Sequence, residues 1–249
     1  MAGRHYPCCC RAFALGLCLP YSRAVHCIVT AGPTYEPLDD VRRLTNFSTG
    51  RLGSELANFL AARGHAVTLL FGQQATWRGK LSVERVETFT TTANLHDRLR
   101  LLASQPADAV FHAAAVSDFG FGKVWQRAPD GALTELKAGK LSTREGTLLA
   151  ELVPTPKIIA ALRGWFPSAL LVGWKYEVDG DQASVLAAAR KQIADCRTDV
   201  CIANGPAYGV GFGLVNNSTG CAACKDKDSL FEALERLLRG RDSGGGGTR

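Results

Sequence analysis

The sequence has no apolar run approaching the roughly 20 residues that a membrane-spanning helix needs, which excludes that class and makes a membrane partner unexpected. It has no acidic residue before Glu36, so Arg4, Arg11 and Arg23 supply half of a net charge of +6 and leave the rest only mildly basic. That balance suits a phosphorylated small molecule better than a nucleic-acid duplex. It has a single Cys-x-x-Cys, Cys221 to Cys224, with no second pair at matching spacing, so no metal-ligating set is expected. The other cysteines do not change this. Cys27 and Cys201 lie inside apolar runs, where a reduced thiol behaves as a small hydrophobe, and reduced thiols point to a cytoplasmic location. No internal repeat is present.

What is there fits one α/β domain: 249 residues, 46% apolar and 21% charged, enough to bury a substantial core. Residues 1–25, with Cys8 to Cys10 followed by a short apolar stretch, are expected to be a disordered or artefactual extension; a signal or transit peptide is the alternative. Residues 240–249 are glycine-rich and expected to be flexible. The domain is therefore expected over residues 26–239.

Strands and helices alternate along it. Strands are expected at residues 25–30, 65–71, 83–89, 108–115, 170–174 and 199–203. Helices are expected after a cap at Ser48 or Thr49, from a Thr92 cap through Leu102, after Pro154, over 182–196 and over 229–238. This pattern predicts a Rossmann-like, doubly wound, mainly parallel sheet. Residues 119–152 break it with Gly120, Gly122, a Pro129-Asp-Gly131 turn and alternation around Leu133 to Lys137, which predicts a projecting β-hairpin arm. A second β excursion is expected at residues 212–221.

The segment from Val29 to Gly53 carries the most chemistry. It begins as a strand, turns at Gly32 and enters a helix through Ser48-Thr-Gly50-x-x-Gly53. A dinucleotide fingerprint would place Gly-x-Gly-x-x-Gly directly between strand and helix, whereas here a long excursion intervenes. Gly50 and Gly53 let a phosphate approach backbone amides at a helix start, with Gly32 and Ser48 on the same unit. Between the glycines lie Arg42, Arg43 and Asn46. Asn46 can hold an oxygen while staying neutral, or simply make a local turn. Adjacent arginines cannot both face one site.

The expected strand ends, including Ala113 to Asp118, Gly173-Trp174 and Ala203 to Gly205, are small, polar or glycine-rich, as the rim of a nucleotide site requires. Lys137 and Lys140 on the arm could grip a polyphosphate or stabilise charge growing on a leaving phosphate, or be solvated surface lysines. His112 reads as a core histidine, Asp118 as an acceptor for a base or ribose, and Trp174 as a stacking or packing ring.

These residues resemble a known family. Thr30-Ala-Gly-Pro-Thr34 with Glu36-Pro-x-Asp39, then Val41-Arg42 with Asn46-x-Ser48-x-Gly50-x-x-Gly53, resemble the first signature of phosphopantothenate–cysteine ligase (phosphopantothenoylcysteine synthetase). His112 to Asp118, Lys137-x-x-Lys140, Val153-Pro154-Thr155-Pro156, Val172-Gly-Trp174 and Cys201-Ile-Ala-Asn204 are similar to its later segments, in the same order. The resemblance implies a Rossmann-like homodimer that activates the carboxylate of 4'-phosphopantothenate with CTP or ATP and Mg²⁺, then joins it to the amine of cysteine. It implies acyl-nucleotide roles for Asn46 and Arg42, a catalytic phosphate contact for Lys137, and nucleotide contacts for His112, Ala113, Ala114, Asp118, Val153 to Pro156 and Trp174. A stand-alone synthetase domain is expected, without the flavin-dependent decarboxylase domain that many bacterial members carry in front.

The departures from the pattern are specific. Gly139 interrupts the arm's lysines, two further family lysines fall on Gln192 and Cys196, with Lys191 adjacent to the first, and Gly205 and Lys157 replace family aspartates. Two other readings stand beside the ligase. A short-chain dehydrogenase would need Tyr-x-x-x-Lys, and no tyrosine here has a lysine four residues on. A divergent binding protein could keep the cleft without the reaction.

Overall fold

A computed structural model gives the fold of residues 25–137, 139–142, 146–217 and 220–244. The apolar runs that read as strands lie side by side because each can be covered on both faces. They are β1 (His26–Ala31), β4 (Ala66–Gly72), β5 (Arg85–Phe89), β6 (Ala109–His112), β10 (Leu170–Tyr176) and β11 (Val200–Asn204), all parallel. Two antiparallel strands, β12 (Phe212–Asn216) and β13 (Gly220–Cys224), complete an eight-stranded sheet in the order β13-β12-β11-β10-β6-β1-β4-β5. The expected doubly wound sheet is present.

Helices cover both faces. On one, α1 (Arg51–Ala62) and α5 (Lys227–Gly244) bury Leu56, Leu60, Leu230 and Leu234 against Val29, Phe111 and Val172. On the other, α2 (Thr92–Leu102) and α3 (Ile158–Trp165) pack Leu95, Leu99, Ile158 and Leu162 against Ile28, Val110 and Leu171. There α4 (Gln182–Cys196) covers Cys201 and Ala203.

Several expectations are corrected by local chemistry. The α1 N-cap position is Gly50 in the left-handed region (φ 79°), while Thr49, one residue earlier, accepts from the Arg51 amide through its hydroxyl at 3.3 Å. Thr91, not Thr92, caps α2, its hydroxyl accepting from the Asn94 amide at 3.1 Å. The last helix begins at Lys227 and runs to Gly244. Asp226 caps it by accepting from the Ser229 amide at 2.8 Å while the Ser229 hydroxyl accepts from the Asp226 amide at 3.2 Å. Residues 1–24 and 245–249 of the two expected extensions lie outside the described residues.

The expected hairpin arm is present as β7 (Phe119–Arg127) with β8 (Leu133–Leu136), and β9 (Thr147–Pro154) pairs on the other side of β7 to extend it to a three-stranded antiparallel sheet. The Pro129-Asp-Gly131 turn joins β7 to β8, with the Gly131 amide donating to the Ala128 carbonyl at 2.9 Å. A short hairpin that the sequence did not suggest, β2 (Tyr35–Pro37) with β3 (Arg43–Thr45), fills the excursion after Gly32.

Candidate functional site

The strand order fixes where a ligand can sit. From β1 the chain moves to β4 and β5 on one side, then returns to β6 on the other. The loops after β1 and β6 therefore diverge, leaving a crevice beyond the carboxyl ends of two central strands. Hydrogen bonds knit its base. The Ala115 amide donates to the Gly32 carbonyl at 3.0 Å, the Thr34 amide to the Ala115 carbonyl at 3.1 Å, and the Ser117 amide to the Thr34 hydroxyl at 2.8 Å.

Asn46 reaches across this crevice. Its Nδ2 donates to the Ala115 carbonyl at 3.1 Å while the residue stays exposed. Thr45 anchors it from behind, its hydroxyl donating to the Thr34 carbonyl at 2.8 Å. The chain then enters α1 at Gly50. The Thr49 hydroxyl accepts from the Arg51 amide at 3.3 Å, but Gly50 itself has no side chain to cover the next amides of the first turn, and the helix dipole favours an anion there. Gly53 has a different reason to be glycine: a Cβ there would lie 2.7 Å from the Ala31 Cβ and 3.0 Å from the Thr30 carbonyl. It lets α1 press against β1, which holds the helix start over the crevice.

A cleft of about 300 Å³ opens at that helix start, lined by Ser48 to Gly53 with Glu55, Ala113, Phe212 and Lys227. Glu55 bridges two cations, accepting from Lys227 Nζ at 2.7 Å and Arg51 Nε at 2.8 Å. Burial alone would raise its carboxyl, but the hydrogen bonds and charges of Lys227 and Arg51 outweigh it and hold the pKa below the ordinary value. Close by, Trp174 packs into the same layer as Leu52 and Phe212. Asn204 lies on the Trp174 face of the sheet, two residues beyond the Trp174–Ile202 pair, and one position past the Ala203–Gly213 pair that sets it beside Phe212. Trp174 Nε1 and Asn204 Oδ1 are buried without a hydrogen-bond partner. An orphaned donor and acceptor on one face of the sheet, outside the cleft's own lining, cost stability unless a ligand or water satisfies them.

His112 is buried under the crevice, its Nδ1 3.0 Å from the Thr30 hydroxyl, which also accepts from the Ala114 amide at 3.1 Å. Burial pushes its pKa down to about 4, so the ring is neutral at neutral pH and acts as a hydrogen-bonded support. Asp118 is exposed at the far end of the same loop. Thr155 docks there, its amide donating to the Asp118 carbonyl at 3.0 Å and its hydroxyl to the Ser117 carbonyl. Val153, Pro154 and Pro156 flank it on the exposed end of β9 and the turn into α3.

The structure thus brings Gly32, Asn46, Ala113, Ala114, Asp118 and Thr155 together at the β1–β6 crevice, with Ser48, Gly50, Gly53 and Trp174 on its α1 side. Arg42 and the arm lysines form a separate cluster. Asp39 accepts from Arg42 Nε at 3.0 Å and from the Leu141 amide at 3.1 Å, and Arg42 Nη2 donates to the Leu141 carbonyl at 2.7 Å. The Arg42 guanidinium beside Asp39 holds that carboxyl well below the usual carboxylate range. This clamp straps the arm's end to the loop before Asn46. Arg43 instead stacks over Tyr35 at 4.7 Å. Lys137 is exposed, 3.7 Å from Glu135, and Lys140 is exposed beside it. None of these cations lines the 300 Å³ cleft.

Glu55, Arg51, Phe212 and Lys227 were not legible as site residues. Lys227 had one available signal, the Asp226-x-x-Ser229 cap that starts α5 two residues before the expected Ser229. The departures also have local causes. Gln192 turns inward, its Nε2 3.2 Å from Cys201 Sγ; Cys196 is buried; and Lys191 pairs with Asp195 at 3.0 Å on the surface. Gly205 holds φ at 113°, and a Cβ there would meet the Glu177 carbonyl at 2.4 Å. No group of three or more His, Cys, Asp or Glu able to hold a metal ion is found among the described residues.

A doubly wound, mainly parallel sheet with a glycine-started helix over its switch point defines an α/β domain of Rossmann-like architecture. This chain belongs to the family described as the DNA/pantothenate metabolism flavoprotein C-terminal domain, which matches residues 23–236. It is 35% identical over 182 residues to the coenzyme A biosynthesis bifunctional protein CoaBC of Thermococcus kodakarensis, covering 71% of this chain and 40% of that protein. It is 30% identical over 193 residues to CoaBC of Bacillus subtilis, covering 77% and 43%. The chain thus spans less than half the length of these two relatives. The DNA/pantothenate metabolism flavoprotein of Streptococcus pneumoniae superposes with a TM-score of 0.77 at 25% identity, over 88% of this chain and 100% of that one. A Cab2 variant solved in complex with phosphopantothenate-cysteine shares the fold, with a TM-score of 0.66 at 19% identity, over 88% and 87%.

Proposed function

We propose that this chain is a phosphopantothenate–cysteine ligase acting in coenzyme A biosynthesis. The observation that carries the reading is the Asn46-to-Gly53 unit: a neutral amide spans the β1–β6 crevice and the chain then enters a helix through a left-handed glycine that has no side chain over its first turn. Membership of a family whose relatives are coenzyme A biosynthesis proteins supports it, as does the phosphopantothenate-cysteine held by a protein of the same fold.

In this reading the 4'-phosphopantothenate carboxylate attacks the α-phosphorus of CTP or ATP and pyrophosphate leaves. The cysteine amine then attacks the acyl carbonyl, the nucleoside monophosphate leaves, and the amide forms after the amine loses a proton. The Gly50 turn and the α1 amides hold phosphate oxygens, with Gly32 and Ser48 beside them. Trp174 Nε1 and Asn204 Oδ1 offer a donor and an acceptor to the base. Asn46 orients the acyl carbonyl, Arg42 positions the Asn46 loop, and the closed arm brings Lys137 and Lys140 to the phosphates. Ala113, Ala114, Asp118 and Val153 to Pro156 line the remaining rim above His112. The donor set fits Mg²⁺ carried mainly by substrate phosphates, since Asp118 is a lone carboxylate on the rim. A bound Mg²⁺ would supply charge neutralisation on those phosphates.

The working assembly in this reading is a homodimer. Exposed Phe119, Leu152 and Val153 on the arm, with Leu44 and Phe47 on the neighbouring loop, give a second copy apolar surface to cover. A cytoplasmic location accords with the free thiols of Cys27, Cys196, Cys201, Cys221 and Cys224. Among the described residues no helix is long and apolar enough to cross a membrane.

The test is pyrophosphate release with CTP and with ATP, each with phosphopantothenate and with or without cysteine. Release that depends on phosphopantothenate, and amide product that depends on cysteine, is expected. Nucleotide binding without turnover would leave a binding protein instead.

A further inference from the structure

We infer that Lys227 is the cation that grips the polyphosphate in the cleft at the start of α1, and that Glu55 is the counter-ion it exchanges for phosphate. The inference rests on the ligase reading for the identity of the ligand, a nucleoside triphosphate. It adds a binding residue on α5, far along the chain from every motif that suggested the site.

Three observations carry it. The first is charge placement. Lys227 opens α5, where the helix dipole disfavours a cation, and it lines the same cleft as the glycine-started first turn of α1. The start of α1 and two cations, Lys227 and Arg51, therefore converge on one small volume, and among the described residues Glu55 is the one carboxylate lining it. One carboxylate between two cations leaves an excess of positive charge facing the α1 amides. The second is the accessibility of the contact. Lys227 is 39% exposed and Glu55 19%, so the pair is reachable from the cleft, and a lysine ammonium can swing its three donors to a new acceptor. The third is the wall beside it. The unpartnered Trp174 Nε1 and Asn204 Oδ1 lie on the strands beside the cleft-lining Phe212, outside the cleft's own lining, and point independently to a ligand that extends past it.

On α4 the positions that resemblance assigns to lysines hold Gln192 and Cys196, turned inward or buried. Lys175, next to Trp174 on β10, is paired with Glu177 at 2.9 Å. A plain structural role for Lys227–Glu55, tying α1 to α5, makes a different prediction. A partly exposed pair contributes little to stability and nothing to ligand affinity.

Binding of CTP, ATP and the corresponding nucleosides is measured by calorimetry on the full chain, its Lys227→Met and Glu55→Gln variants and the double variant, with a thermal melt of each. Lys227→Met should weaken the preferred triphosphate about tenfold or more and leave the nucleoside unchanged. Glu55→Gln should tighten the triphosphate severalfold, because phosphate no longer competes with a carboxylate for Lys227, and that gain should disappear in the double variant. Failure of the unaltered chain to bind any triphosphate overturns the ligase reading beneath. Triphosphate affinity unchanged by Lys227→Met, an equal loss for nucleoside, or a Glu55→Gln gain that survives in the double variant overturns this inference alone.

Discussion

Replacing Gly53 by alanine sets two magnitudes against each other. Gly53 is the third residue of α1, so propensity alone favours alanine by up to ~1 kcal/mol. Packing opposes it. The new methyl would sit 2.7 Å from the Ala31 Cβ, 3.0 Å from the Thr30 carbonyl oxygen and 3.2 Å from the Ala31 Cα. Carbon atoms rest at about 3.5–4.0 Å, so relief needs a movement near ~1 Å. Two of the three obstructing atoms are backbone of β1, which is held between β4 and β6, and Ala31 is fully buried. The strand cannot retreat, so α1 must lift. Overpacking of this kind costs ~1–3 kcal/mol, and the backbone obstruction places it in the upper half of that range. The net effect is a destabilisation of about 1–2 kcal/mol after the propensity gain, read as a melting temperature lowered by roughly 2–8 °C at this chain length. Gly164→Ala in α3 is the control: nothing lies within 4 Å of its added methyl, so only the propensity gain remains. Thermal and urea melts of both variants check the reasoning. A Gly53→Ala melting temperature equal to or above that of the unaltered chain would refute it. The lifted α1 start should also weaken triphosphate binding, whereas Gly164→Ala should not.

Asn46→Asp places a negative charge at the crevice while keeping shape, so acyl-nucleotide should accumulate and amide formation should fall; unchanged amide formation removes Asn46 from the chemistry. Lys137→Ala should lower turnover roughly a hundredfold with little change in melting temperature, because an exposed arm residue adds little to the core; normal turnover counts against its assignment. Asp39→Asn leaves Arg42 and the Leu141 amide without their carboxylate, so hydrogen exchange at Leu141 should accelerate, and an unchanged rate would show that the clamp does not hold the arm. His112 has a folded-state pKa near 4, below its ordinary 6.5, so the unfolded chain takes the proton first as pH falls. Its contribution is full above pH 6.5 and declines by up to about 3 kcal/mol on the way down to pH 4; a His112→Gln variant with an equally steep acid limb would contradict this.

The parallel sheet was legible because its strands are covered on both faces, and such strands must be continuous apolar runs. The arm was legible as an interruption, since Gly120, Gly122 and the Pro129-Asp-Gly131 turn break the alternation of strand and helix. Its third strand was not, because β9 pairs with β7 across a register shift between Phe121 and Val124 that no local pattern encodes. The β2–β3 hairpin escaped for a similar reason: two three-residue strands hold too few side chains to show a period.

The site divides along the same line. Sequence alone determined that a strand–loop–helix unit carries Asn46, Ser48, Gly50 and Gly53 in fixed order, because backbone turns and helix starts are local and their residues are contiguous. Only the tertiary structure decided which side chains face each other. Arg42 turns to Asp39 and Leu141, Gln192 turns to Cys201, and Lys227 comes from the last helix to meet Glu55 on the first. Each pairing joins charges or dipoles whose energies depend on distance and burial. Those two quantities are set by how the sheet is wound, and spacing along the chain does not contain them.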